Sequence, residues 1–296
     1  WTAQRTDRGV LLGYRKALSH EIVNIEEDPI ALPAIVDAIP LLRELAGVIA
    51  ATAEPFKLLV TATASGLDVA ATGSGALSAA RRQAATRFVI DKSIARLSVD
   101  GEIVVEPRKP QIMVGEVDVY PPPGAFLQAV ETAEAAMAGL VTAHLLKAKK
   151  VADLFSGIGT FALRLARSST VHAVEGEAAA LAALDRAFRY GEGLKTVTTE
   201  RRDLARRPLT WKELNAYDGL VFDPPRAGAE DQARQIARSD VRFVAAVSCN
   251  PATLARDLSI LVEGGYRLIS ATPIDQFLWS HHVEAVALLE KPKKRR

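Results

Sequence analysis

The chain has 296 residues, 49% hydrophobic and 24% charged, which are globular values that exclude a fibrous or disordered polymer. Its 37 basic and 35 acidic residues leave a net charge of +2, too small to announce nucleic-acid binding alone. One cysteine, Cys249, excludes an internal disulfide, a zinc site of several thiolates and a four-thiolate iron–sulfur cluster, and the five histidines show no metal spacing. No apolar run reaches the ~18 residues of a membrane span. The opening Trp1-Thr2-Ala3-Gln4-Arg5 has neither a signal pattern nor a Met. The expectation is a soluble cytoplasmic monomer, with no membrane association, that has lost part of its native front.

In chain order, residues 33–51 read as a helix, and 57–63 and 67–71 as strands about a Ser65-Gly66 turn. Residues 88–90, 94–99 and 103–106 also read as strands, with Asp100-Gly101 as a hairpin turn. Pro121-Pro122-Pro123-Gly124 punctuates the end of this small β-rich, α+β domain, 1–120. The second domain, 121–296, opens with a helical pattern at 129–147. Strands are then expected at 151–155, 170–174, 196–199, 219–222, 241–247, 266–271 and 283–289, and helices at 160–167, 177–189, 230–238 and 251–262. This alternation predicts an α/β, doubly wound, Rossmann-like parallel sheet, with the last two strands as an antiparallel end. Basic residues cluster at Arg5, Arg8, Arg15 and Lys16, at Arg201, Arg202, Arg206 and Arg207, and at 291–296. Each cluster is read first as a solvated face or tail.

Three places in the second domain carry chemistry. Asp153-Leu154-Phe155-Ser156-Gly157-Ile158-Gly159-Thr160 runs from the first strand into a helix, and its two glycines let backbone approach a ligand. Glu175 ends the second strand, where an acid accepts hydrogen bonds from a ribose diol. Asp203 follows the third strand, where it is either a surface acid or a partner for an adenine amino group. A loop this short suits S-adenosylmethionine (SAM), which has no phosphate. The fourth strand ends in Asp223-Pro224-Pro225-Arg226, a rigid presentation of Asp223 at the sheet's carboxyl edge. Arg226 replaces the aromatic residue that methylation of an exocyclic amine prefers, and its charge suits a phosphate.

The fifth strand delivers Ser248-Cys249-Asn250-Pro251, with Asn250 as a helix cap and Pro251 as the first helical residue. A thiol at a helix N-terminus is expected to be stabilised as the thiolate. His282 and Glu284, two apart, are expected on one side of the last strand. There Glu284 is either an edge carboxylate facing water or a desolvated general base. Together these parts imply thiolate addition to carbon 6 of uracil, methylation of carbon 5, and removal of the carbon-5 proton. A base inside a stem would have to be flipped out.

Asp223–Gly228, Val247–Asp257 and His282-Val283-Glu284 resemble the RNA (uracil-5-)-methyltransferase family. Residues 153–161 resemble its SAM loop, and Gly124-Ala125-Phe126-Leu127-Gln128 its Phe-x-Gln segment. The resemblance implies Cys249 as nucleophile and Glu284 as base. It implies SAM contacts from Gln128, Phe155, Thr160, Glu175, Asp203 and Asp223, around Gly157 and Gly159, with Arg226 and His282 toward substrate. It also implies an RNA-binding role for residues before about 120. The partner expected is structured RNA, ribosomal rather than transfer RNA. The alternatives are a transfer-RNA enzyme or a non-catalytic RNA-binding homologue. Asp28 stands before Pro29 where many relatives carry a cluster cysteine, so no iron–sulfur cluster is expected, and the family's amino-terminal β-barrel is not expected within these residues. Val130 and Leu278 replace a usual Asn and a usual Pro.

Overall fold

The structure, a computed structural model, describes every residue except Trp279, His281 and 293–296, so most of the last basic cluster lies outside the described residues. The chain separates into two compact units, Trp1–Ile112 with Tyr120–Ala125, and Met113–Val119 with Phe126–Arg296. Among the described residues no helix is long and apolar enough to cross a membrane.

The first unit contains β1 (Thr2–Thr6), β2 (Gly9–Arg15), β3 (Ile22–Asn24), α1 (Pro33–Val36), α2 (Ile39–Ile49), β4 (Phe56–Thr63), β5 (Gly66–Thr72), α3 (Ala79–Asp91), β6 (Arg96–Val99) and β7 (Glu102–Val105). Its seven strands form one sheet in the order β3-β2-β1-β4-β5-β6-β7. Only β5 and β6 pair in parallel, with α3 as the crossover between them. Ile39, Leu42, Leu45, Ala46 and Ile49 recur at helical spacing along α2 and are buried with Leu12, Leu58, Val69, Val89 and Leu97.

Two expectations are corrected here. The helix expected over 33–51 is two, because Pro40 near the start of α2 lacks the N–H that would continue it from α1. The strand expected at 88–90 is the last turn of α3, which Ser78 caps by accepting from Arg81 N–H. Only Ala85 and Val89 of that helix are buried, too narrow a stripe to show as a helical period. The turn expected at Asp100-Gly101 joins β6 to β7 with φ of 49° and 83°, the double positive φ of a type I′ hairpin. Asp28, 5% exposed, accepts hydrogen bonds from Trp1 Nε1 at 3.0 Å and Tyr14 Oη at 2.7 Å.

The second unit holds most of the hairpin β8 (Ile112–Val114) and β9 (Val117–Val119), then α4 (Glu131–Leu145), β10 (Lys150–Leu154), α5 (Ala162–Leu165), β11 (Thr170–Glu175), α6 (Ala178–Tyr190), β12 (Val197–Arg201) and α7 (Trp211–Leu214). It continues with β13 (Gly219–Phe222), α8 (Glu230–Arg238), β14 (Phe243–Ser248), α9 (Pro251–Glu263), β15 (Arg267–Ile274) and β16 (Glu284–Glu290). The helix expected over 160–167 shrinks to the four residues of α5. The strand order is β12-β11-β10-β13-β14-β16-β15, parallel through β14, with β16 antiparallel to both neighbours. The fold is therefore the expected doubly wound α/β sheet. From β10 the chain winds to β11 and β12 on one side and to β13 and β14 on the other. The crevice at the carboxyl ends of β10 and β13 is where such a sheet takes ligands.

Candidate active site

The loop after β10 is held open by backbone that side chains disfavour. Phe155, Gly157 and Gly159 have φ of 62°, 53° and 102°. A Cβ on Gly159 would stand 2.5 Å from Leu184 Cδ1 of α6, so that side chain would have to move, while the φ itself favours glycine. Glu175, at the end of β11, accepts from Gly157 N–H at 2.9 Å through one oxygen and from Gly176 and Glu177 N–H at 2.6 and 2.9 Å through the other. Asp203 caps its own turn by accepting from Ala205 and Arg206 N–H. Nearby basic residues are paired: Arg202 with Glu200 and Glu213, and Arg206 with Asp203.

Asp153 was not foreseen as a site residue. It is fully buried in β10, and the backbone N–H of Ala162 approaches its carboxylate without making a hydrogen bond of normal geometry. Burial, with Asp223 and Glu175 nearby, raises its pKa well above the carboxylate range. Its signal in the sequence was a lone acid within the apolar run 151–155.

A second group gathers Gln128, Asp223, Gln276 and Glu284. Gln128 Nε2 donates to Asp223 Oδ2 at 3.3 Å. Gln276 Nε2 donates to Gln128 Oε1 at 3.2 Å and to Glu284 Oε1 at 2.9 Å. Burial and the neighbouring Glu284 charge push Asp223 up to about 7, and burial also raises Glu284. Gln276 was missed because a polar residue in a connection has no period to mark it.

Cys249, half-buried, lies between the end of β14 and the N-cap of α9. The expected stabilisation of its thiolate is not found in this state. Burial, then the charges of Glu284 and Asp223, raise its pKa, while Arg226 opposes them. His282 is also corrected: β16 begins at Glu284, so His282 belongs to the preceding connection and shares no strand face with it. It is exposed, and its ring packs edge-on to Phe277.

The residues around Cys249 brace the loop that follows Asp223. Asn250 accepts from Ala252 N–H at 3.1 Å and donates to the Arg226 carbonyl at 3.0 Å. Thr253 Oγ1 donates to the same carbonyl at 3.3 Å, Arg256 to that of Ala227 at 3.1 Å, and Asp257 accepts from Ala229 N–H at 2.7 Å. Arg226 is left with an exposed side chain. Val130, in place of Asn, is the N-cap of α4 and gives it no side-chain hydrogen bond.

A family model described as tRNA (uracil-5-)-methyltransferase matches residues 122–292. The chain belongs to that family. It is thus a SAM-dependent RNA methyltransferase of the uracil-5 class. It is 65% identical over 294 residues to an RNA methyltransferase of Mesorhizobium japonicum, covering 99% of this chain and 71% of the relative. It is 34% identical over 299 residues to the 23S rRNA (uracil(1939)-C(5))-methyltransferase RlmD of Pseudomonas savastanoi, covering 95% of this chain and 64% of that one. The fold matches that of the Pyrococcus abyssi tRNA (uracil-54, C5)-methyltransferase in complex with S-adenosyl-L-homocysteine. The TM-score is 0.75 at 23% identity, over 98% of this chain and 74% of that one.

Proposed function

We propose that the protein forms 5-methyluridine in structured RNA, specifically 23S ribosomal RNA, with Cys249 as nucleophile and Glu284 as general base. The observation that carries the reading is the clustering of Cys249, Asp223 and Glu284, whose charges act on one another at the carboxyl edge of the sheet. The name of the Pseudomonas relative supports ribosomal RNA.

The residues at the crevice fit SAM. Asp153 and Asp223 are acids raised by burial, and the Asp153 carboxylate has no hydrogen bond of normal geometry, a need that the ligand's sulfonium and ammonium charges would meet. Gln128, Phe155, Thr160, Glu175, Asp203 and Asp223 would hold it, with Gly157 and Gly159 admitting it closely. Once bound, SAM supplies the methyl group. Cys249 adds to carbon 6 of uracil and makes carbon 5 nucleophilic. After methylation Glu284 takes the carbon-5 proton. Arg226 and His282, both exposed beside these groups, serve as contacts to the RNA. RNA binding is assigned to the first domain, residues 1–120, and methyl transfer to 121–296.

The test incubates the protein, and a Cys249→Ala variant, with labelled SAM and unmodified ribosomal or transfer RNA, and identifies product nucleosides by mass spectrometry. The expected result is 5-methyluridine in ribosomal RNA from wild type alone. Product only in transfer RNA would replace the substrate, and product from the variant would remove Cys249 from the mechanism.

A further inference from the structure

Gln276 belongs to the connection between β15 and β16, yet it is only 6% exposed. Its one amide nitrogen serves two oxygens, on Glu284 and Gln128, while Gln128 commits its own nitrogen to Asp223. With Glu284 and Asp223 ionised these bonds fix both amide orientations, since a turned Gln276 would set its carbonyl oxygen against two acceptors. The Gln276 Oε1 atom is meanwhile buried without a partner. A residue kept only to fill that space would be better apolar, because an unmet buried acceptor costs stability.

Resting on the proposed role of Glu284 as base, we infer that Gln276 is its positioning residue, holding the Glu284 carboxylate as an oriented acceptor and joining it to the Gln128–Asp223 pair. In the final step the carbon-5 proton passes to Glu284. The C–H electron pair becomes the double bond between carbons 5 and 6, and the bond from carbon 6 to sulfur breaks with its electrons leaving on Cys249. An N–H donated to Glu284 keeps one oxygen oriented and favours the carboxylate, against the upward push of burial. The titratable groups around Glu284 are Asp223 at the end of β13 and Cys249 after β14. On β15 the residue opposite it is the uncharged Ile274, and α4, which packs on β16, brings His144 to the distant Leu289 carbonyl.

The test compares wild type, Gln276→Met and Gln276→Glu from about pH 5 to 9, on the RNA that wild type methylates. Breakdown of the preformed, denaturation-resistant adduct between Cys249 and RNA is read beside turnover, because turnover also needs the Cys249 thiolate, and circular dichroism checks folding. Gln276→Met removes both hydrogen bonds at similar size. Its acid limb should move up by about one pH unit, and the adduct should accumulate below that limb. Gln276→Glu keeps the shape, adds a like charge beside the base and should move the limb further. It reads the same limb if the Met variant does not fold. An acid limb at the wild-type position in the folded variants, with a normal or uniformly lowered rate and no adduct, overturns the role of Gln276. Wild type that forms no 5-methyluridine instead removes the base itself, which is a separate result.

Discussion

Asn250 ties the loop carrying Cys249 to the loop carrying Asp223, donating from its amide nitrogen to the Arg226 carbonyl at 3.0 Å while its own carbonyl oxygen caps α9. Thr253, Arg256 and Asp257 spend their side chains on the same stretch of backbone. The run from Cys249 to Asp257 is thus one thiol followed by the bracing of its neighbour loop.

Asn250→Ala removes the cap and the tie together. The cap alone is worth about 1 kcal/mol, or about 3 °C in Tm for a chain of this size. The tie should appear in kcat, lowered about tenfold or more, with SAM affinity nearly kept. Thermal melts and steady-state kinetics check this. A lower Tm with unchanged kcat would leave the tie structural only.

Cys249 is held as a thiol by burial and by two carboxylates. Alkylation of the free protein by iodoacetamide should therefore rise with pH through a midpoint above the ordinary cysteine value. Asp223→Asn and Glu284→Gln should each bring that midpoint down, because each removes a negative charge that disfavours the thiolate. A midpoint at or below the ordinary value in wild type would contradict the electrostatics described for the site.

The second unit was legible because its signals are strong and local. Apolar strands alternating with helices announce a parallel sheet, and the glycines after β10, Asp223-Pro224-Pro225 and Asn250-Pro251 punctuate its carboxyl edge. The first unit was legible only in part. β1 and β2 mix buried and exposed positions without a clean alternation, and arginines stand in β1 and at the end of β2. In α3 only Ala85 and Val89 are buried, and its alanines and arginines are mixed around the helix, so no period showed. At the site, Cys249 and Glu284 stood out by chemistry. Gln276 and the rise in the Cys249 pKa depend on which side chains meet across the fold, and no spacing encodes that.

In the first unit Arg96 and Asp68 form a buried bidentate pair at 2.8 and 2.6 Å, and Arg96 also reaches Glu106 and the Pro121 carbonyl. Arg96→Met leaves Asp68 buried and uncompensated, a loss of about 3–5 kcal/mol. Replacing both, as in Arg96→Met with Asp68→Leu, should recover most of it. Chemical denaturation of the three proteins checks this, and a double variant as unstable as the single one would mean that the bonds to Glu106 and Pro121 carry the stability.

Asp223 sets stability against function. Its folded pKa of about 7 lies above the ordinary 3.8, so the folded state holds the proton more tightly than the unfolded one. That contribution is fully present below pH 3.8, and it is lost as pH rises through about 7. Asp223→Asn has no such loss. It should match wild type near pH 4 and exceed it near pH 8 by about 1–2 kcal/mol, a figure discounted because the side chain keeps part of its surface in solvent. The same variant should bind SAM more weakly, and wild-type SAM affinity should rise from about pH 6 to 8 as the carboxylate forms opposite a cationic ligand. Denaturation curves and calorimetric titrations at each pH separate the two effects. Equal stability of the two proteins at pH 8 would show that Asp223 carries no strain in the free protein, and unchanged SAM affinity would remove it from the cofactor site.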